Sequence, residues 1–106
     1  MTPEGKVKKR ATDVLKRYVT AWWFAPMTHG YGASGAPDII GCYRGRMFWI
    51  ECKARSGRVT ALQDAQHARI REAGGKGWVV YEGDDFATWF AAWVCEVEDE
   101  LRKEAT

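Results

Sequence analysis

The sequence predicts an α/β sandwich around a mixed sheet, with the element order α-β-β-β-α-β-α. Three observations lead there. Stretches with apolar residues at helical spacing occupy both ends of the chain. Two apolar runs, "DIIGCY" and "MFWIECK", flank the tight turn "YRGR" and read as a hairpin. A further apolar run, "GWVVYE", follows a helical stretch in the second half and reads as a buried strand.

Taken in order, "TPEGKVKKRATDVLKRY" is the first helix. Thr2 caps it, Pro3 suits the first helical position, and Glu4 suits the positive end. Val7, Ala11, Val14, Leu15 and Tyr18 form its apolar stripe. "TAWWFAPM" is rich in β-branched and aromatic residues, which places a strand near residues 20–26. "THGYGASGAP", with its glycines, is a loop whose backbone a ligand can approach closely. After the hairpin, "ARSGRV" is a basic loop. "TALQDAQHARIREA" is a helix with Leu62, Ala65, Ile70 and Ala73 expected to face inward, ended by "GG". "DDFATWFAAWVCEVEDEL" is a last amphipathic helix with Phe86, Trp89, Phe90, Trp93, Val97 and Leu101 on one side. No internal repeat, linker or low-complexity segment interrupts this order, so one domain is expected over residues 1–106.

The chain has 106 residues, 46% hydrophobic and 28% charged, which suits a small domain with a real core. The net charge of +2 does not by itself announce a nucleic-acid binder. The distribution is more telling. Lys6, Lys8, Lys9, Arg10, Lys16 and Arg17 crowd the N-terminus, arginines surround the middle, and Glu96, Glu98, Asp99 and Glu100 gather late. Three cysteines show no C-x-x-C spacing, which argues against a zinc ribbon or a redox pair and suits a reducing cytoplasm. No apolar run reaches the length of a membrane span.

Glu51 and Lys53 interrupt an apolar run that reads as a central strand, next to Trp49 and Ile50. With Arg44 and Gly45 at the centre of the turn, Tyr43 faces Arg46, Cys42 faces Met47, and Asp38 faces Glu51. Directly opposed residues have Cβ atoms about 4.5–5.5 Å apart, where like charges repel and one is driven toward protonation. A divalent cation removes the conflict, and carboxylates suit a hard ion such as Mg²⁺ or Mn²⁺. Lys53, two residues on, shares the face of Glu51, where an ammonium can orient water or stabilise charge growing on a phosphate. The backbone carbonyl of Cys52 is a further candidate ligand.

The stretch "SGAPDIIGCYRGRMFWIECKARSGRVTALQ" resembles the virus-type replication-repair nuclease domain (VRR-NUC), a branch of the PD-(D/E)xK nucleases, in its stand-alone viral form. The resemblance runs from "PEGKVKKR" to the "VVY" strand. It implies a restriction-endonuclease-like α-β-β-β-α-β core with a C-terminal helix, and metal-dependent hydrolysis of DNA phosphodiesters. By the same resemblance Asp38 and Glu51 hold the metal, Lys53 is the catalytic lysine, Glu4 is the acid of the first helix, and Gln63 is the glutamine opening the helix after the E-x-K strand. Cys52 replaces the usual aliphatic residue, where only the backbone matters.

Several residues keep two readings. Gln63 completes a capping box with Thr60 and is also a catalytic candidate. Glu4 is explained by the helix dipole or by metal ligation. His29 is read as a substrate-loop residue and His67 as helix surface. Gly35, Ser34, Arg55 and Arg58 are candidate DNA contacts. Trp22, Trp23, Trp89, Phe90 and Trp93 look surplus to one small core, which suggests a homodimer, and a two-fold dimer supplies two cuts for a symmetric four-way junction. The expected partner is branched DNA, with no membrane. A non-catalytic DNA-binding module and an RNA-cleaving enzyme on the same fold remain the alternatives.

Overall fold

The computed structural model describes residues 1–27 and 35–106. The elements follow the expected order: α1 (Pro3–Leu15), β1 (Ala21–Phe24), β2 (Ile39–Tyr43), β3 (Arg46–Lys53), α2 (Ala61–Glu72), β4 (Lys76–Tyr81) and α3 (Phe86–Glu104). The strands form one four-stranded sheet in the order β1-β2-β3-β4. The first two pairings are antiparallel and β3–β4 is parallel.

The hairpin has the register the turn predicts. Tyr43 pairs with Arg46, Cys42 with Met47 and Ile39 with Ile50. Arg44 and Gly45 both take positive φ, 47° and 86°, the left-handed pair that a tight two-residue turn requires. Strand β3 is hydrogen-bonded on both sides and buried from Phe48 to Lys53.

Alternation along β3 divides the residues between two layers. Phe48, Ile50 and Cys52 face the main core, with Val7, Ala11, Val14 and Leu15 of α1 and Phe86, Phe90, Trp93 and Val97 of α3. Met47, Trp49, Glu51 and Lys53 face the other way, toward α2. Close packing there depends on Gly77, the cross-strand partner of Trp49. A Cβ on Gly77 would come within 1.7 Å of the indole, which lies flat across it. The indole is in turn stacked on the His67 ring at 4.0 Å between centroids.

Two sequence expectations are corrected by this packing. In α2, Leu62, Ala65 and Ala73 are exposed and Ile70 is only half-buried, whereas His67 is buried at 2% exposure rather than on the helix surface. The helix turns Gln63, His67 and Ile70 toward β3 and β4, and the stack on Trp49 takes the place of an aliphatic contact. Among the aromatics, Phe90 and Trp93 are not surplus. Phe90 centres a cluster with Tyr18, Phe48, Trp78 and Trp93 at centroid distances of 4.9–5.7 Å. Trp23 is half-buried against the same core. Trp22, Phe24 and Trp89 remain exposed.

Candidate active site

The end of β3 carries the charged residues because the strand continues past its antiparallel partner. Strand β2 starts at Ile39, one residue after Asp38, so the hairpin register carried one step further sets Asp38 against Glu51. The Asp38 Oδ2 accepts the backbone N–H of Cys52 at 2.8 Å, which ties the carboxylate to the strand carrying Glu51. One carboxylate oxygen from each of Glu4, Asp38 and Glu51 lies within 4.8 Å of the other two. Glu4 reaches them from the first turn of α1, whose start is fixed by the Thr2 hydroxyl accepting the Gly5 N–H at 2.9 Å and by Pro3 in the first turn.

Glu51 is 1% exposed. Burial pushes its carboxyl up to about 9, and a hydrogen bond and charge from nearby Asp38 push the same way, opposed by Lys53. His67 Nε2 lies 3.3 Å from Glu51 Oε2. Burial holds the imidazole below its usual range, and Arg71 adds to this, so the ring is neutral at pH 7. A neutral imidazole carrying its proton on Nε2 donates to that oxygen and leaves the other carboxylate oxygen for a further ligand. The sequence reading missed His67. The available signal was its position one helical turn after Gln63, which puts both on one face of α2.

Lys53 is buried, and its Nζ donates to Gln63 Oε1 at 2.9 Å. Gln63 also completes the capping box: its Oε1 accepts the Thr60 N–H at 2.9 Å and its own N–H donates to the Thr60 hydroxyl at 3.1 Å. The two readings of Gln63, cap and site residue, therefore coexist in one side chain. The Cys52 side chain is buried in the core, and burial together with Asp38 and Glu51 pushes its thiol up to about 12. That thiol is neutral and inert, and all three cysteines are free.

The other candidates are placed as follows. Gly35 has φ +84°, and a Cβ there would come within 2.5 Å of the Leu62 backbone. The fold itself thus requires glycine at this position. Arg55 and Arg58 are exposed in the loop after β3, where the Arg55 N–H donates to Glu82. Ser34 and His29, with most of the glycine-rich loop, lie outside the described residues.

The donor set fits a hard divalent cation. It is made of oxygen ligands only, one of them buried on a central strand, and Asp38 raises the cost of ionising Glu51. No helix among the described residues is long and apolar enough to cross a membrane.

No sequence-family model and no curated relative matches the chain. A solved structure described as a "VRR_NUC domain" does match in shape, with a TM-score of 0.62 and 26% identity, covering 76% of this chain and 86% of that one. The order of three helices around a four-stranded mixed sheet is that of restriction-endonuclease-like folds. This shared architecture, with buried Glu51 set against half-buried Asp38 and Lys53 beside them, gives the chain the VRR-NUC fold of nuclease-type domains.

Proposed function

We propose that the chain is a DNA endonuclease dependent on Mg²⁺ or Mn²⁺, one VRR-NUC-like domain over residues 1–106, which hydrolyses phosphodiester bonds in branched DNA such as four-way junctions. The observation that carries this reading is Glu51. A carboxylate buried at 1% exposure and apposed to Asp38 is costly to the fold, and binding nucleic acid needs no such pair. A protein that only bound DNA would be more stable without it.

In this reading Asp38, Glu51 and Glu4 are the side-chain ligands, and the Cys52 carbonyl is a fourth. In a strand the N–H and C=O of one residue point to the same edge; the Cys52 N–H meets Asp38, so its carbonyl faces the acids. A bound divalent cation supplies charge stabilisation at the phosphate and a more acidic water. His67 holds one oxygen of Glu51, so the carboxylate presents the other. Lys53 contributes an ammonium that Gln63 aims, placed to orient the attacking water or to meet charge growing on the phosphoryl oxygens. The catalytic group is thus Asp38, Glu51, Lys53 and Gln63.

Labelled four-way junction, linear duplex and RNA, each with and without Mg²⁺, test the assignment. Metal-dependent nicking of DNA is expected, fastest on the junction. Binding without nicking selects the non-catalytic module, and preferential RNA cleavage selects the ribonuclease. Two-fold symmetry of a junction calls for two sites, and so for a homodimer. Of its aromatic support, Trp22 and Trp89 remain exposed; light scattering at micromolar concentration decides it, and a monomer rejects it.

A further inference from the structure

We infer that Trp22 and Phe24 form a stacking platform for unpaired bases beside the scissile phosphate, so that this site holds its branched DNA through nucleotides splayed out of the helix at the branch. The inference rests on the nuclease reading for the position of the cut, but not for the binding it describes.

The sheet register places the platform. Phe24 pairs with Ile40, which pairs with Trp49; Trp22 pairs with Cys42, which pairs with Met47. Directly paired residues share a face, so both rings lie on the face that carries Glu51 and Lys53. Asp38 precedes Ile40 by two residues, one pleat, or about 7 Å along the strand. Phe24 therefore flanks the row next to the acids, and Trp22 the row after it. On this face α2 covers the β3–β4 half, through His67 on Trp49 and Gln63 on Lys53. Trp22 is 64% exposed and Phe24 45% exposed, with ring centroids 5.4 Å apart and planes tilted by 47°.

The occupant is argued from what adjoins the rings. At one end the platform continues into the cluster of acids proposed to act on a phosphodiester. At the other, the row Trp22–Cys42–Met47 leads to a cavity of about 730 Å³, lined by Met47, Gln66, Arg69, Ile70 and the backbone of Gly74 and Gly75. A cation and an amide at that end suit a phosphate, and the aromatic faces between suit bases. A base offers its face to a side chain only when it is unpaired or unstacked, and such stacking is worth about 1–3 kcal/mol per base.

The test is binding in EDTA, where hydrolysis plays no part. Fluorescence anisotropy compares a forked DNA with single-stranded arms and a blunt duplex, for wild type, Trp22→Leu, Phe24→Leu and Trp89→Leu. Leucine keeps the exposed sites apolar and removes the ring. Trp22→Leu and Phe24→Leu are each expected to weaken fork binding by roughly 5- to 100-fold. Duplex affinity should stay within twofold, and Trp89→Leu should change neither. Equal losses on fork and duplex, or no loss on the fork, overturn the platform. So does a dimer that becomes monomeric in the double variant with DNA binding unchanged, which assigns the patch to a second copy. If wild type never nicks DNA with Mg²⁺ yet the variants lose fork binding, the nuclease reading fails and the platform stands.

Discussion

Lys53 and Gln63 are joined by a 2.9 Å hydrogen bond whose acceptor, the Gln63 Oε1, also takes the backbone N–H of Thr60. One oxygen thus starts α2 and aims the lysine. Gln63→Ala should lower turnover at least tenfold and remove about 1 kcal/mol of stability with the cap. Thr60→Ala is the control: it should cost similar stability and leave turnover within about threefold, since the lysine keeps its partner. Melting curves beside cleavage rates separate the two effects; equal turnover losses would make Gln63 a cap only.

Asp38→Ala and Lys53→Ala should both reduce cleavage by two or more orders of magnitude, for different reasons. Asp38→Ala removes a ligand, so calorimetric Mg²⁺ or Mn²⁺ binding should fall with activity. Lys53→Ala should leave the metal affinity within a few-fold. A lysine variant that loses the metal as well would reassign Lys53 to site structure.

The metal-free protein should be less stable at high pH. Glu51 has a folded-state value raised to about 9, so between roughly its ordinary value of 4.5 and 9 the folded chain holds a proton that the unfolded chain has released. Stability then falls as pH rises through that window, and below it the contribution is constant. Mg²⁺ should oppose this, raising the melting temperature by more at pH 8 than at pH 5. Glu51→Gln should remove most of the pH slope, stabilise the metal-free fold at pH 8 and abolish cleavage. A pH slope unchanged in Glu51→Gln would place the titration elsewhere.

Gly77→Ala should destabilise by about 3 kcal/mol, because its methyl would overlap the Trp49 indole held between Gly77 and His67. Trp49→Phe in the same chain should recover part of that loss, giving a clear interaction energy in a double-mutant cycle. Additive losses would mean that the indole is free to move aside.

The hairpin and its acids were legible because a two-residue turn fixes register, and because charges inside an apolar run need a reason. The orientation of α2 was not. The face it buries carries Gln63, His67 and Ile70, which is largely polar because it roofs a polar site, so the apolar residues Leu62, Ala65 and Ala73 pointed the wrong way. The count of tryptophans did signal an excess, but not which ones. Phe90 and Trp93 are consumed by an aromatic core shared between α3 and β3, and helical spacing alone does not separate them from Trp89.

The Arg44–Gly45 turn also bears on how the chain reaches this state. The Cys52–Asp38 bond spans only 14 positions, so the hairpin and its acids can meet within microseconds. The parallel pairing of β3 with β4 must wait for the α2 crossover, and Glu4 arrives from the far end of the sequence. Two acids are thus brought together before α2 supplies His67 to Glu51 and Gln63 to Lys53. The turn that builds the site should therefore raise an electrostatic barrier on the folding path, and refolding of the metal-free chain, followed by stopped-flow fluorescence, is expected to slow as the solution becomes more alkaline.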